Sequence, residues 1–345
     1  MNKKIFFALT ALLTAATVGA QEETDSLTVF DVQNKTASAW QTDKNVSATI
    51  IGRDDRQEIT GRASDYDKAV VVLEMKSGNQ KSLCSGTMVG YNLVLTAGHC
   101  VVANGKFVDS VSVHAVGLPA QSSNKHRNRN GSKKHKKQQP PAQKDNNHSI
   151  SDFSNLLRSA GTQSAALPTV EQKVAQAQDK AVVSASSYRA FPSATAKKMI
   201  VPDSFITASK KPYNLNTGAR HDYAVIVLNS NLGKKTGYLG LTNIKDNKKL
   251  QKAQIAVVGR GGDKPARTLW SAKGTVGEVN SYYIYHNADV VGGNSGGPIF
   301  YDKDHTKIIA LANFSDKRDH APSGYLNGGL RINKTIMDIV SKKRK

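Results

Sequence analysis

An all-β fold, barrel or sandwich, is predicted for this chain on three observations. Its apolar runs are short, rich in Val and Ile, and separated by Gly, Asn and Ser. One of them, Val111-Ser112-Val113-His114-Ala115-Val116, alternates as a half-buried strand does. With 39% hydrophobic residues over 345 positions, the chain has core material for two domains or one large two-lobed unit.

Taken in order, the first twenty residues read as an address. Met1-Asn2-Lys3-Lys4 is cationic, Ile5 to Val18 is apolar, and Val18-Gly19-Ala20 offers small residues before Gln21. That is the layout of a cleaved secretory signal peptide. The apolar run falls short of the roughly 20 residues a membrane span needs. A secreted or periplasmic protein without a transmembrane segment is therefore expected, and export permits a disulfide. Residues 21–49 are polar and weakly patterned, as a pro-segment would be.

Strand patterns then begin, at Ala69 to Met75, Gly86 to Gly90, Leu93 to Thr96 and Val111 to Val116. Gln121 to Asn147 breaks them. It carries Lys125, Arg127, Arg129, Lys133, Lys134, Lys136, Lys137 and Lys144 with no large apolar residue, so it cannot bury a core. We assign roughly 118–183 to a long, basic, disordered insertion, with weak helical patterns at Ser151 to Arg158 and Val170 to Lys180. Further strands are expected at Phe191, Met199 to Val201, Ala224 to Leu228, Ala253 to Val258, Ser281 to Tyr285 and Ile308 to Leu311. A short helix over Lys334 to Val340 and a basic tail close the chain.

The charge balance is 48 Lys+Arg against 27 Asp+Glu, a net +21. Eight of those cations sit in 121–147, so the excess is unevenly spread and need not describe the folded part. That strip could hold the protein on anionic surface polymers, although a solvated linker is the plainer reading. It has no interleaved aromatic residue for base stacking, which argues against a specific nucleic-acid partner. Two cysteines are too few for a disulfide knot or a four-ligand zinc site, so no metal is expected.

Two stretches carry chemistry. Leu95-Thr96-Ala97-Gly98-His99-Cys100 ends a strand with an imidazole, and Gly292-Gly293-Asn294-Ser295-Gly296-Gly297-Pro298-Ile299 sets a serine among glycines. A hydroxyl becomes a competent nucleophile when an imidazole takes its proton, and the imidazole needs a carboxylate to fix its tautomer. Asp222, at the mouth of the apolar run Ala224 to Leu228, is the candidate carboxylate. Glycines near the serine let backbone N–H groups converge on a developing oxyanion. Cys84 and Cys100 lie 100 − 84 = 16 positions apart. Bridged, they would pin the turn that carries His99; the alternative is two buried thiols.

Together these residues resemble the chymotrypsin-like (trypsin-like) serine protease family, nearest its bacterial glutamyl-endopeptidase-like subfamily. The resemblance runs from about Ile50 to Val340 and implies two six-stranded antiparallel β-barrels, 50–232 with the insertion and 233–345 with the helix. It implies His99 as general base, Asp222 as orienting carboxylate, Ser295 as nucleophile, the N–H groups of Gly293 and Ser295 as oxyanion hole, and a Cys84–Cys100 disulfide. It also implies a peptide substrate lying beside the strand that ends near Asn313; a monomer without a cofactor is expected.

Two positions depart from the animal trypsins. Asn294 stands where they have Asp, so a new N-terminal ammonium finds no charge partner there. The run Ile50 to Thr60 instead looks like the mature start of the bacterial subfamily, which implies a zymogen losing residues up to about Ala48. The histidine and hydroxyl by which glutamyl endopeptidases hold a substrate carboxylate appear here as Ala312 and Val290. Asp289 coincides with the trypsin pocket-floor carboxylate and Gly329 would leave that pocket open. Lys or Arg at P1 is thus expected ahead of Glu. The rival reading is a non-catalytic cationic binding protein on the same fold.

Overall fold

The chain wraps two β-barrels in succession, and short strands from its N-terminal part are added to each. The computed structural model describes residues 25–34, 49–59, 66–117, 191–210, 219–266, 268–317 and 325–344. The expected signal peptide, the basic strip 121–147 and the two stretches with weak helical patterns therefore lie outside the described residues.

Two strands lie ahead of the barrels, β1 (Leu27–Asp31) and β2 (Gln57–Glu58). The first barrel is built from β3 (Val70–Ser77), β4 (Gln80–Met88), β5 (Leu93–Thr96), β6 (Ser110–His114), β7 (Ser193–Pro202) and β8 (Ala224–Leu228). The antiparallel order β6-β3-β4-β5-β8-β7 closes by pairing β7 with β6. Val70 to Leu73 of β3 are all buried, which is why that run reads as continuously apolar rather than alternating. A short helix, α1 (Asp203–Ala208), follows β7.

The second barrel uses β9 (Gln254–Gly259), β10 (Trp270–Val279), β11 (Tyr283–His286), β12 (Pro298–Tyr301), β13 (Ala310–Lys317) and β14 (Tyr325–Arg331). Its order β9-β12-β13-β14-β11-β10 closes through β9 with β10. Two closed, six-stranded antiparallel barrels, as expected, remove the exposed edges an open sheet would leave. Ile255, Val257, Val276, Ile284, Ile299 and Ala310 fill the second. The core of the first runs without a break into Val258, Phe300, Leu311 and Phe314 of the second.

The C-terminal helix α2 (Lys334–Arg344) is longer than the sequence pattern suggested. Asn333 caps it, its Oδ1 accepting the Ile336 N–H at 2.9 Å. Ile336, Ile339 and Val340 bury one face, and Arg344 donates to the carbonyl of Leu239 at 2.7 Å, extending the helix through the expected tail. Among the described residues no helix is long and apolar enough to cross a membrane.

Two N-terminal segments pair in ways the sequence pattern did not indicate. Residues 57–59 pair with the second barrel. β2 pairs with β10 (Gln57 with Ser271, Glu58 with Trp270), and the Ile59 N–H donates to Leu269 at 2.9 Å, so this segment straps the second barrel. The polar leader, in turn, contains a true strand, β1, paired with β7.

Candidate active site

The His99 turn begins where β5 ends. Gly98–Cys100 form one 3-10 turn, and a Cβ on Gly98 would lie 2.9 Å from the Phe205 ring and 3.1 Å from Asp222 Oδ1. Only glycine permits that approach. Cys84 and Cys100 are joined in a disulfide. Its sulfurs and a His99 ring nitrogen lie within 4.8 Å of one another, and because the sulfurs are bonded to each other the cluster packs the imidazole and offers no thiolate to a metal.

Asp222 follows the turn Ala219–His221 at the head of β8 and is completely buried. Its Oδ2 lies 2.7 Å from His99 Nδ1, and its Oδ1 accepts the His99 backbone N–H at 2.8 Å. Gripped at two points, the imidazole is held in one orientation with Nδ1–H toward the carboxylate. The side-chain amide of Asn313 donates to the Asp222 carbonyl at 2.7 Å. Burial pushes the Asp222 carboxyl up. The His99 charge and the hydrogen bonds from His99 and Asn313 outweigh it, so the group sits below the usual carboxylate range. His99 Nε2 has no hydrogen-bond partner among the described residues, Ser295 Oγ included.

The serine loop is stitched to the first barrel. The Ser85 N–H donates to the Ser295 carbonyl at 2.9 Å, and Ser85 Oγ donates to the Gly293 carbonyl at 2.8 Å. Cys100 Sγ lies 3.7 Å from the Ser295 carbonyl oxygen, which brings the residue after His99 against the serine. Gly296 has φ +76°, and a Cβ there would stand 2.1 Å from Thr96 Oγ1. Gly293 has φ +102°. The Gly292 carbonyl is turned away to accept the Gly262 N–H at 2.6 Å. Asn294 is pinned within its own loop, Oδ1 accepting the Val291 N–H at 3.0 Å, a local tie that needs no outside ammonium.

The residues expected to line the pocket have the following surroundings. Asp289 is 2% exposed, and its two oxygens accept the N–H groups of Ile51 (2.7 Å) and Asp55 (3.3 Å). It anchors the strap and presents no bare charge. Val290 and Ala312 are buried among the apolar side chains of the second barrel. Gly329 makes room for the core, since a Cβ there would meet Ile299 Cδ1 at 2.4 Å. Asn313 sits inside β13, which runs on to Lys317 past a bulge between Ala312 and Phe314, and its side chain serves Asp222.

Several contributors were not read from the sequence. Ser85 is one, although it directly follows Cys84. Another is Arg56, whose side chain is 2% exposed and pairs with Asp54 (2.8 Å) and with Asp263. Asp263 neighbours Gly262, whose N–H holds the Gly292 carbonyl. Asn327 is fully buried, and its Nδ2 donates to the carbonyls of Thr49 and Ala288, each at 2.8 Å.

Comparison with known proteins agrees with this architecture. The trypsin-like peptidase domain matches residues 84–311, well over half of the chain. A glutamyl endopeptidase of Bacillus licheniformis is 22% identical over 295 residues, 84% of this chain and 67% of that protein. A glutamyl endopeptidase of Staphylococcus aureus is 28% identical over 88 residues, 26% of this chain and only 24% of that protein. A solved Glu endopeptidase structure, in complex with MPD, shares the fold with a TM-score of 0.53 at 19% identity, covering 86% of this chain and 99% of that one.

Two closed barrels of this kind define a chymotrypsin-like fold, and the matched domain makes the protein a serine endopeptidase. The chain belongs to the trypsin-like peptidase family and is glutamyl-endopeptidase-like within it.

Proposed function

We propose that this is an exported endopeptidase that opens peptide bonds through an acyl-enzyme, with Ser295 as nucleophile, His99 as general base and Asp222 as orienting carboxylate. The observation that carries the reading is the 2.7 Å contact between His99 Nδ1 and the buried carboxylate of Asp222. It commits Nδ1 as a donor and leaves Nε2 to accept a proton. Contacts between a nucleophile and its base are commonly long until substrate closes them.

Ser295 Oγ gives its proton to Nε2 as it bonds to the substrate carbonyl carbon. The resulting oxyanion accepts the N–H groups of Gly293 and Ser295, which the outward turn of the Gly292 carbonyl supports. Collapse breaks the C–N bond, and Nε2 returns the proton to the leaving amine. Water, deprotonated by His99, then releases the acyl group.

Export would use residues 1–20, and cleavage of the expected pro-segment near Ala48 would leave the strap at a new mature start. For P1 we keep Lys or Arg ahead of Glu, since Val290 and Ala312 offer a glutamate no donor. The preference is shallow, because both oxygens of Asp289 already accept N–H groups. Of the two readings of the basic strip 121–147, the linker remains the plainer and docking on anionic polymers the alternative.

A fluorophosphonate probe tests the chemistry. Labelling mapped to Ser295 and abolished by His99→Ala is the expected result. Silence of correctly processed protein would favour the cationic binding protein instead.

A further inference from the structure

Residues 25–34 lie within the stretch assigned above to a pro-segment, yet they are built into the first barrel. β1 pairs antiparallel with β7 over five residues, from Leu27 opposite Pro202 to Asp31 opposite Lys198. The reason is topological. Among the described residues, β6 covers only Ser193 to Thr195 of β7. The N–H and C=O groups further along β7 would otherwise form an open edge, and β1 fills it.

Side chains reinforce the seat. Ser26 Oγ and Thr28 Oγ1 donate to the two oxygens of Asp203, each at 2.5 Å, and the Asp203 N–H donates to the Ser26 carbonyl at 2.9 Å. Asp25 pairs with His221 Nδ1 at 2.9 Å and accepts from Ser204 Oγ. Phe30 stacks on Phe107, with ring centres 4.6 Å apart. Leu27 and Val29 face outward, as the period of two requires of an added strand. Four separate parts of the first barrel thus grip ten residues: β7, α1, the turn before Asp222 and the loop carrying Phe107. A disposable leader needs none of these contacts.

We propose that residues 25–34 are a permanent strand of the active enzyme. They stay on the β7 edge after the chain is cut between 34 and 49, so the mature protease consists of two chains. Recognition is by strand addition, with the hydroxyls of Ser26 and Thr28 and the carboxylate of Asp25 setting the register. The inference rests on the pro-segment reading only for the existence of a cut. It does not depend on the triad, because its test reads mass rather than activity.

The test uses the full chain carrying Ser295→Ala, with a recognition sequence for a site-specific protease placed within 35–48. After cutting, the protein is passed over a size-exclusion column at neutral pH. The 25–34 fragment is expected to co-elute at one copy per chain by mass spectrometry. It should leave at least tenfold faster from a second variant that adds Asp25→Ala and Thr28→Ala. Unfolding of the remainder as the fragment departs would equally mark the strand as integral. Departure of the unsubstituted fragment from protein whose circular dichroism stays native would overturn the proposal.

Discussion

The carboxylate of Asp289 accepts the backbone N–H of Ile51 at 2.7 Å. A residue that sequence position would assign to substrate selection is thereby tied to the segment that straps the second barrel. Burial pushes its carboxyl above the usual range, and the N–H groups of Ile51 and Asp55 only partly offset that. Asp289→Asn is therefore expected to change the ratio of kcat/KM for Lys against uncharged P1 residues by less than about tenfold, where loss of a bare pocket charge would cost more. P1 profiling of both proteins decides it.

Arg56 should matter to turnover although it lies far from the serine in sequence. Its guanidinium bridges Asp54 and Asp263, and a Cβ on Gly261 would stand only 2.8 Å from Arg56 Nη1. The same loop supplies the Gly262 N–H that turns the Gly292 carbonyl outward. Arg56→Ala should lower kcat by about tenfold or more, with a smaller change in KM, as expected when oxyanion donors lose their alignment. Steady-state kinetics on folded variant protein, with Asp263→Asn as companion, reads the split.

The disulfide closes a loop of 16 positions. In the chain-entropy model that stabilises the fold by about 3 kcal/mol. Replacing Cys84 and Cys100 together by serine should lower the denaturation midpoint accordingly in urea titrations. Activity should fall as well, since the bridge packs against the His99 ring.

His286 provides an acid-sensitive element. Fully buried, it is pushed by desolvation from 6.5 down to about 4. The folded protein holds it neutral where the unfolded chain already takes up a proton near 6.5. Between those two values the unfolded state binds more protons, so stability falls as pH drops. At about 1.4 kcal/mol per unit the loss amounts to a few kcal/mol. His286→Gln should flatten the stability–pH slope between pH 6.5 and 4, measured by denaturant unfolding at each pH.

Much of this architecture is legible in the residues. The histidine turn, the glycine-flanked serine and the apolar run after Asp222 are local patterns, and each lands beside a barrel strand as its chemistry requires. The contributors that escaped notice act over long separations. Nothing adjacent to Arg56 points to Asp263, and nothing beside Ser85 points to the carbonyls of Gly293 and Ser295. Asn313 sits at a strand position where a pocket role and a bond to Asp222 look alike until the bulge after Ala312 sets its direction. β1 was hidden for another reason. Five residues with two outward apolar side chains, framed by polar sequence, do not stand out as a strand until β7 presents its open edge.

The strap also constrains when this enzyme can begin to work. Thr49 is held by Asn327 across 278 positions of sequence, and Asp289 is tied to Ile51 across 238. Contacts of such separation form late and slowly in folding. The loop beside Ser295 therefore cannot settle until nearly the whole polypeptide has been synthesised, and a nascent chain stalled short of Asn327 would be harmless to the machinery producing it.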